Sequence, residues 1–341
     1  MVILAGGMST RLRPITNTRP KMLVPIVNKP IIEHVLDRVR ESGLGECHFT
    51  LNYMSDKIVS AISDGRKLGI RALYHKEETP LGTAGSVKAI EQELDDVFVV
   101  LSGDILFDFQ LQKVLKEHLQ GNRVATMVLA PVSDVSQFGV ALLDKNSRVT
   151  GFVEKPNPRT VSSNLVNTGI YVLNRSVLKK VRGNMPVDFS RDVFPQLVKE
   201  GALNGHIAEG FWYDIGTFAG LLKAQRSVLA GETKIKIEGK EVVKGVYFQG
   251  EPAVEDMDSL LGPAVIADGA HVGARSTLRF ATLGEEVKMG EKTTVVESSL
   301  MKGVWVGQEA IIAGGVLGER CTVASYASII GPAGYQDGSI I

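Results

Sequence analysis

"VFVVLSGDILFDFQLQKVLKEHL" occupies residues 97–119. Five apolar residues open it, a small acidic turn (S-G-D) follows, and a helical pattern runs over 111–119. An uninterrupted apolar run suits a strand covered on both faces. The same grammar repeats upstream. "VIL" precedes a loop and an amphipathic stretch at 31–41. "CHFTL" (47–51) precedes a helix near 56–67. "IRALY" (70–74) precedes a glycine-rich turn and a helix near 85–94. Strand–helix alternation predicts an α/β fold with a Rossmann-like, mostly parallel mixed sheet flanked by helices. Ligands of such sheets bind beyond the carboxyl ends of the strands. The residues just after each strand are therefore the ones to read.

From about Leu260 the period changes to six: Leu260, Ile266, Val272, Leu278. It slips by one and resumes at Leu283, Met289, Val295 and Met301. It slips again for Val306 and Ile312, and again for Leu317, Val323 and Ile329. A six-residue period fits neither a helix nor a hairpin sheet. It fits a left-handed parallel β-helix in which each hexad forms one side of a triangular coil, with 18 residues to a turn and about four coils. The expected division is 1–235 as the α/β domain, 236–258 as a polar linker with short strands, and 259–341 as the β-helix.

The chain has 341 residues, enough for two domains, with 38 basic and 38 acidic side chains and 44% apolar residues. A net charge near zero gives no reason to expect nucleic acid or an anionic membrane surface as partner. No apolar run approaches about 18 residues, so no membrane span is expected. No basic, apolar leader precedes "MVILAGG", and a cytoplasmic location is expected. Cys47 and Cys321 are expected as buried thiols rather than a disulfide.

The first strand delivers Leu4, Ala5, Gly6 and Gly7 to the ligand edge. Glycines there let the backbone approach a ligand and expose amides. Arg11 and Lys21 then supply charge for phosphate. Pro14, Pro20 and Pro25 restrict the loop between them. Asp104 in "SGD" and Asp214 in "WYDIGT" are carboxylates at expected strand ends, where they can hold a divalent cation or cap a turn or helix. Two carboxylates without a histidine cluster fit Mg²⁺ better than Zn²⁺.

"GGMSTRL" followed by "RPKMLVP" resembles the start of the nucleoside-diphosphate-sugar pyrophosphorylases, the sugar-1-phosphate nucleotidylyltransferases. The match covers Gly6, Gly7, Thr10, Arg11, Leu12, Pro20 and Lys21. Ser9 departs from it, because the family usually has glycine there. If that position needs a positive φ, Ser9 adds strain. "GFVEKPN", "QFGVA" and "VNTGIY" resemble the family's sugar-phosphate segments. The resemblance implies that Lys155 contacts the sugar phosphate, Glu154 a sugar hydroxyl, and Gly139 and Asn167 the sugar. "HKEETPLGTAGSV" resembles the nucleobase segment, with Glu77, Gly82 and Thr83 near the base. A carboxylate suits the adjacent donors of guanine, and the "PLGTAG" wording resembles the mannose-1-phosphate guanylyltransferases.

The resemblance implies transfer of a nucleotidyl group from a nucleoside triphosphate to a sugar 1-phosphate, with GTP and mannose 1-phosphate favoured. Glucose 1-phosphate with a thymidylyl or uridylyl donor is the alternative. Arg11 and Lys21 would take the triphosphate charge, Lys155 the attacking phosphate, and Asp104 and Asp214 Mg²⁺. Two other readings belong to this architecture. One is a second, acetyl-transferring activity in the coil, for which His271 is the one histidine present. The other is a non-catalytic regulatory subunit, against which the retained charged residues argue. The coil itself is expected to promote homo-oligomers.

Overall fold

The computed structural model describes residues 1–258 and 260–341. Contacts divide them into two units. One comprises Met1–Gly7 and Val35–Trp212; the other comprises Met8–His34 and Tyr213–Ile341.

The first unit is built on a mixed nine-stranded sheet. Its strands are β1 (Val2–Ala5), β2 (Glu46–Leu51), β3 (Arg71–Lys76), β4 (Val97–Ser102), β5 (Ala125–Pro131), β6 (Gly139–Leu143), β7 (Val149–Glu154), β8 (Leu165–Asn174) and β9 (Leu203–Ile207). The order is β7-β6-β8-β4-β1-β2-β3, and β5 pairs with both β8 and β9. Strands β3, β2, β1 and β4 run parallel; β8 is antiparallel to β4, β5 and β6. Strand β1 lies between β2 and β4 and is nearly all buried, as its uninterrupted apolar run requires.

The helices are α1 (Ile31–Glu41), α2 (Ser55–Ile62), α3 (Gly82–Ala89), α4 (Leu111–Gln120), α5 (Phe194–Lys199) and α6 (Phe218–Leu229). Two differ from the pattern read in the sequence. Helix α2 stops at Ile62, ahead of Ser63 and Gly65, which both take positive φ. Helix α3 begins three residues before the expected position and gives way to a 3₁₀ turn over Glu91–Glu93. Among the described residues, no helix is long and apolar enough to cross a membrane.

The second unit contains a parallel β-helix. Ala264 pairs with Ala281, and Thr282 with Ser299, each seventeen residues on. The expected 18-residue turn is therefore corrected to 17. The three sides take six, six and five residues, which accounts for every slip in the period. The inward columns are Ile266, Leu283, Leu300 and Leu317; then Val272, Met289, Val306 and Val323; then Leu278, Val295, Ile312 and Ile329. Leu300, not Met301, holds the register, because the five-residue side falls between Val295 and Leu300. Met301 is buried beside the column. All twelve column residues are buried. Residues 236–258, read as a linker with short strands, carry strands that enter the coil: Val246–Gln249 pairs in parallel with Ala264–Ala267.

The coil holds the segment that carries Arg11 and Lys21. Arg19 Nη2 donates to Glu319 Oε1 and Asp337 Oδ1, both at 2.9 Å. Asn28 Nδ2 donates to Leu283 O at 2.8 Å and to Gln249 Oε1 at 3.2 Å. Helix α6 is tied the same way, as Gln225 Nε2 donates to Ser298 O while its Oε1 accepts from Thr282. Burial opposes ionisation of Asp337, yet Arg19, the Glu319 amide and Thr18 outweigh it and hold its pKa low.

Gly273, Gly290 and Gly307 recur at the 17-residue spacing. A Cβ on Gly290 would stand 2.6 Å from the Gln308 amide nitrogen, so the next coil needs the space. Gly290→Ala is expected to destabilise the protein by about 1–3 kcal/mol through overpacking, read as a lower midpoint in denaturant unfolding. An unchanged midpoint would show that the coils can separate freely.

Candidate active site

In the first unit, β1 ends at Leu4 and Ala5, and Gly6 and Gly7 follow it directly. A Cβ on Gly6 would reach only ordinary contact with Asn52, at 3.5 Å, and one on Gly7 would meet nothing within 4 Å. Packing inside the protein therefore does not require either glycine. Their bare backbone is available to a ligand. The turn after β4 is tied to this edge, since Gly103 N donates to Leu4 O at 3.0 Å. It presents Asp104, whose Oδ1 accepts the Ser102 hydroxyl at 2.5 Å.

A second group gathers at the ends of β6, β7 and β8. Gly139 pairs with Glu154 across β6 and β7. A Cβ there would lie 2.7 Å from Glu154 Oε2 and would strike the Phe152 ring, so this glycine makes room for the carboxylate. Lys155 has φ 47°, and its amide donates to Phe138 O at 2.9 Å. A lysine in the left-handed region carries strain of order 1–2 kcal/mol, a pattern that clusters at ligand sites. Asn167 is held from three sides: its Nδ2 donates to Tyr171 Oη and Ser190 Oγ, and its Oδ1 accepts the Gly169 amide.

The nucleobase candidates run from the β3–α3 connection (Glu77) into the first turn of α3 (Gly82 and Thr83). Glu77 is fixed by its backbone to Leu51 and Asn52, and its Oε2 accepts the Leu81 amide at 3.1 Å. Gly82 has φ 71°, and a Cβ on it would stand 2.5 Å from Val187 O. The Thr83 hydroxyl donates to Asp188 Oδ2 and accepts the Phe189 amide. Gly82 and Thr83 thus turn toward residues 187–189 and hold that segment.

In the second unit, Thr10 and Arg11 lie in a 3₁₀ turn entered through Ser9, whose φ of 47° and ψ of 46° are left-handed. The position does take a positive φ, so serine is strained where glycine would not be. Ser9 O accepts the Leu12 amide and the Thr16 hydroxyl, which fix the turn. Lys21 is buried, with Nζ 3.4 Å from Asp214 Oδ1, and Arg11 Nη2 lies 3.8 Å from Asp214 Oδ2. Gly216 leaves space for this cluster, since a Cβ there would be 2.6 Å from Asp214 Oδ2. Asp214 does not cap α6. Thr217 does, accepting the Gly220 amide at 3.1 Å. That removes the helix-cap explanation for Asp214.

Several neighbours escaped the sequence reading. Asn52 follows β2 directly and could have been found by the strand-end rule. Asp188, Ser190 and Arg191 could not, because they lie in a loop and π-turn with no motif of their own.

Residues 1–231 match the family model described as nucleotidyl transferase. The chain belongs to that family. A UTP–glucose-1-phosphate uridylyltransferase from Synechocystis is 31% identical, over 85% of this chain and 86% of its own. A probable mannose-1-phosphate guanylyltransferase from Oryza sativa is 30% identical over 96% and 88%. Among solved structures, a putative glucose-1-phosphate thymidylyltransferase from Bacillus anthracis, crystallised with sucrose, superposes with a TM-score of 0.62 at 27% identity. It covers 70% of this chain and 97% of that one.

Burial raises the pKa of Glu154; Lys155 and Arg191 pull it down, and Asp188 pushes it further up. A carboxyl with a raised folded pKa favours the fold at low pH, and that contribution is lost as pH rises through the folded value. Glu154→Gln is therefore expected to raise the thermal midpoint relative to wild type at pH 7, with the gain fading below pH 4.5. A gain that is equal at both pH values would place the effect in packing rather than charge.

Proposed function

We propose that this chain joins a nucleoside triphosphate to a sugar 1-phosphate, giving an NDP-sugar and pyrophosphate, and that its substrates are GTP and mannose 1-phosphate. The carrying observation is the Lys21–Asp214–Arg11 cluster beside a strained, proline-stiffened turn. Such a cluster keeps a buried ammonium and an exposed guanidinium poised for phosphate while a carboxylate balances them. Similarity over nearly the whole chain to the Oryza guanylyltransferase supports the choice of substrates, as does the Glu77 carboxylate, which keeps Oε1 for guanine donors. The Synechocystis and Bacillus relatives support the alternative, glucose 1-phosphate with a uridylyl or thymidylyl donor.

In this reading an oxygen of the sugar phosphate attacks the α-phosphorus. A new P–O bond forms as the bond to pyrophosphate breaks. The attacking phosphate is already anionic, so no protein base is needed. The barrier is repulsion and misalignment between two anions. Amides of Ala5, Gly6 and Gly7 and the cations Arg11 and Lys21 take the triphosphate. Lys155 orients the incoming phosphate, and Glu154, Asn167 and the Gly139 backbone take the sugar.

Asp104 and Asp214 are each proposed as a Mg²⁺ ligand. Both offer hard carboxylate oxygens without nitrogen or sulfur donors. Asp214 contacts Lys21 and Arg11, and a bound triphosphate would draw those two cations away and leave the carboxylate for the metal. Mg²⁺, when bound, would neutralise phosphate charge. A cytoplasmic homo-oligomer completes the proposal. Exposed Tyr326, Ile330 and Ile340 on the coil support self-association through that unit.

Pyrophosphate release across a grid of four triphosphates and several sugar 1-phosphates tests the substrates, with GTP and mannose 1-phosphate expected to give the highest kcat/KM. Asp104→Asn and Asp214→Asn are expected to lower kcat by about 10²-fold or more with the fold retained. Near-normal turnover in both would sink the metal roles.

A further inference from the structure

His48 and His75 project from one face of adjacent parallel strands. His48 pairs with Leu73, and His75 with Thr50, so the two histidines are diagonal neighbours. Their rings stack with centroids 5.2 Å apart and planes 19° from parallel. His48 Nδ1 lies 3.0 Å from His75 Nε2. Glu93, in the turn before β4, places Oε2 3.9 Å from His48 Nδ1 and Oε1 3.6 Å from His75 Nδ1. One donor atom from each of the three residues falls within 4.8 Å of the other two.

A carboxylate determines which nitrogen of the His48 ring carries hydrogen. His48 Nε2 lies 3.3 Å from Glu46 Oε1 and donates there, which leaves its Nδ1 with a lone pair. Glu46 is itself held by Arg71 Nη1 at 2.9 Å. His75 Nδ1 lies 3.6 Å from Glu93, beyond hydrogen-bond distance, so His75 Nε2 donates to the His48 Nδ1 lone pair across the 3.0 Å gap. An ion taken up by both nitrogens would displace that hydrogen to His75 Nδ1, on the side of Glu93.

We infer that His48 Nδ1, His75 Nε2 and the Glu93 carboxylate bind a borderline divalent ion of the Zn²⁺ class, with a further position left to water. Imidazole nitrogens select Zn²⁺, Co²⁺ or Ni²⁺ over Mg²⁺. Tetrahedral zinc with Zn–N bonds of about 2.0–2.1 Å needs the nitrogens about 3.3–3.4 Å apart, a few tenths more than observed. The half-exposed Glu93 turn supplies both the freedom to close and the entry path. Glu46 plays the outer carboxylate that orients a metal-bound histidine and raises its basicity. The ion would tie β2, β3 and the turn leading into β4. It is independent of Asp104 and Asp214.

The test uses the full, untagged chain, stripped with a chelator and titrated with ZnCl₂ against a chromogenic zinc indicator. Wild type is expected to hold one Zn²⁺ per chain that His75→Gln and Glu93→Gln do not hold, and to gain thermal stability with Zn²⁺ but not with Mg²⁺. Glu46→Gln, which removes no ligand, is expected to weaken Zn²⁺ by about 10- to 100-fold. Co²⁺-loaded wild type should show visible absorption that His75→Gln lacks. Should His75→Gln unfold, the exposed Glu93→Gln and Glu46→Gln variants decide the matter. Wild type that takes up no more Zn²⁺ than Glu93→Gln, or a Glu46→Gln variant that binds as wild type does, would overturn the inference.

Discussion

Arg19 sits between Glu319 and Asp337, and much of the second unit follows from that contact. Its guanidinium is largely buried, so the two acids must stay near it. The acids belong to the last coils of the β-helix, while Arg19 stands two residues before Lys21. Holding Arg19 therefore fixes the turn that presents Lys21 to Asp214. Asn28 adds a second tie, and Gln225 adds a third through α6. The coil is thus a scaffold for the cationic loop, not an appendage behind it.

The coil can serve as a scaffold because its repeat is strict. Each inward residue stacks on its equivalent seventeen residues away, and backbone hydrogen bonds run from coil to coil. Strain is confined to corners and loops, where residues such as Glu286, Lys292 and Glu309 take positive φ. The apolar columns stay buried through every coil. Ser9 and Lys155 are likewise left-handed without being glycine.

In the first unit, residues 187–191 link groups that the sequence keeps far apart. Val187 accepts the amides that open α3, Asp188 takes the Thr83 hydroxyl, and Ser190 reaches Asn167. The residues proposed to read the base and the sugar are consequently supported by one short segment. Gly82 and Thr83 are needed to seat it, whatever else they touch.

Local pattern alone was enough to show an α/β sheet, a coil of hexads, and charged residues at the ends of strands. Each rests on periodicity or on a dipeptide next to a strand, and such signals survive without knowledge of the fold. The five-residue side of the coil was visible as slips, but its meaning was not. Choosing Leu300 over Met301 needs the neighbouring coil, since both are apolar and adjacent. The φ of Ser9, the Lys21–Asp214 contact across almost two hundred residues, and the role of Asp188 likewise depend on partners distant in sequence. So does the meeting of His48 and His75, which look like ordinary strand residues until parallel pairing brings their rings together. Sequence determines which residue types are available at each strand end; only tertiary packing decides which of them share a hydrogen bond or a charge.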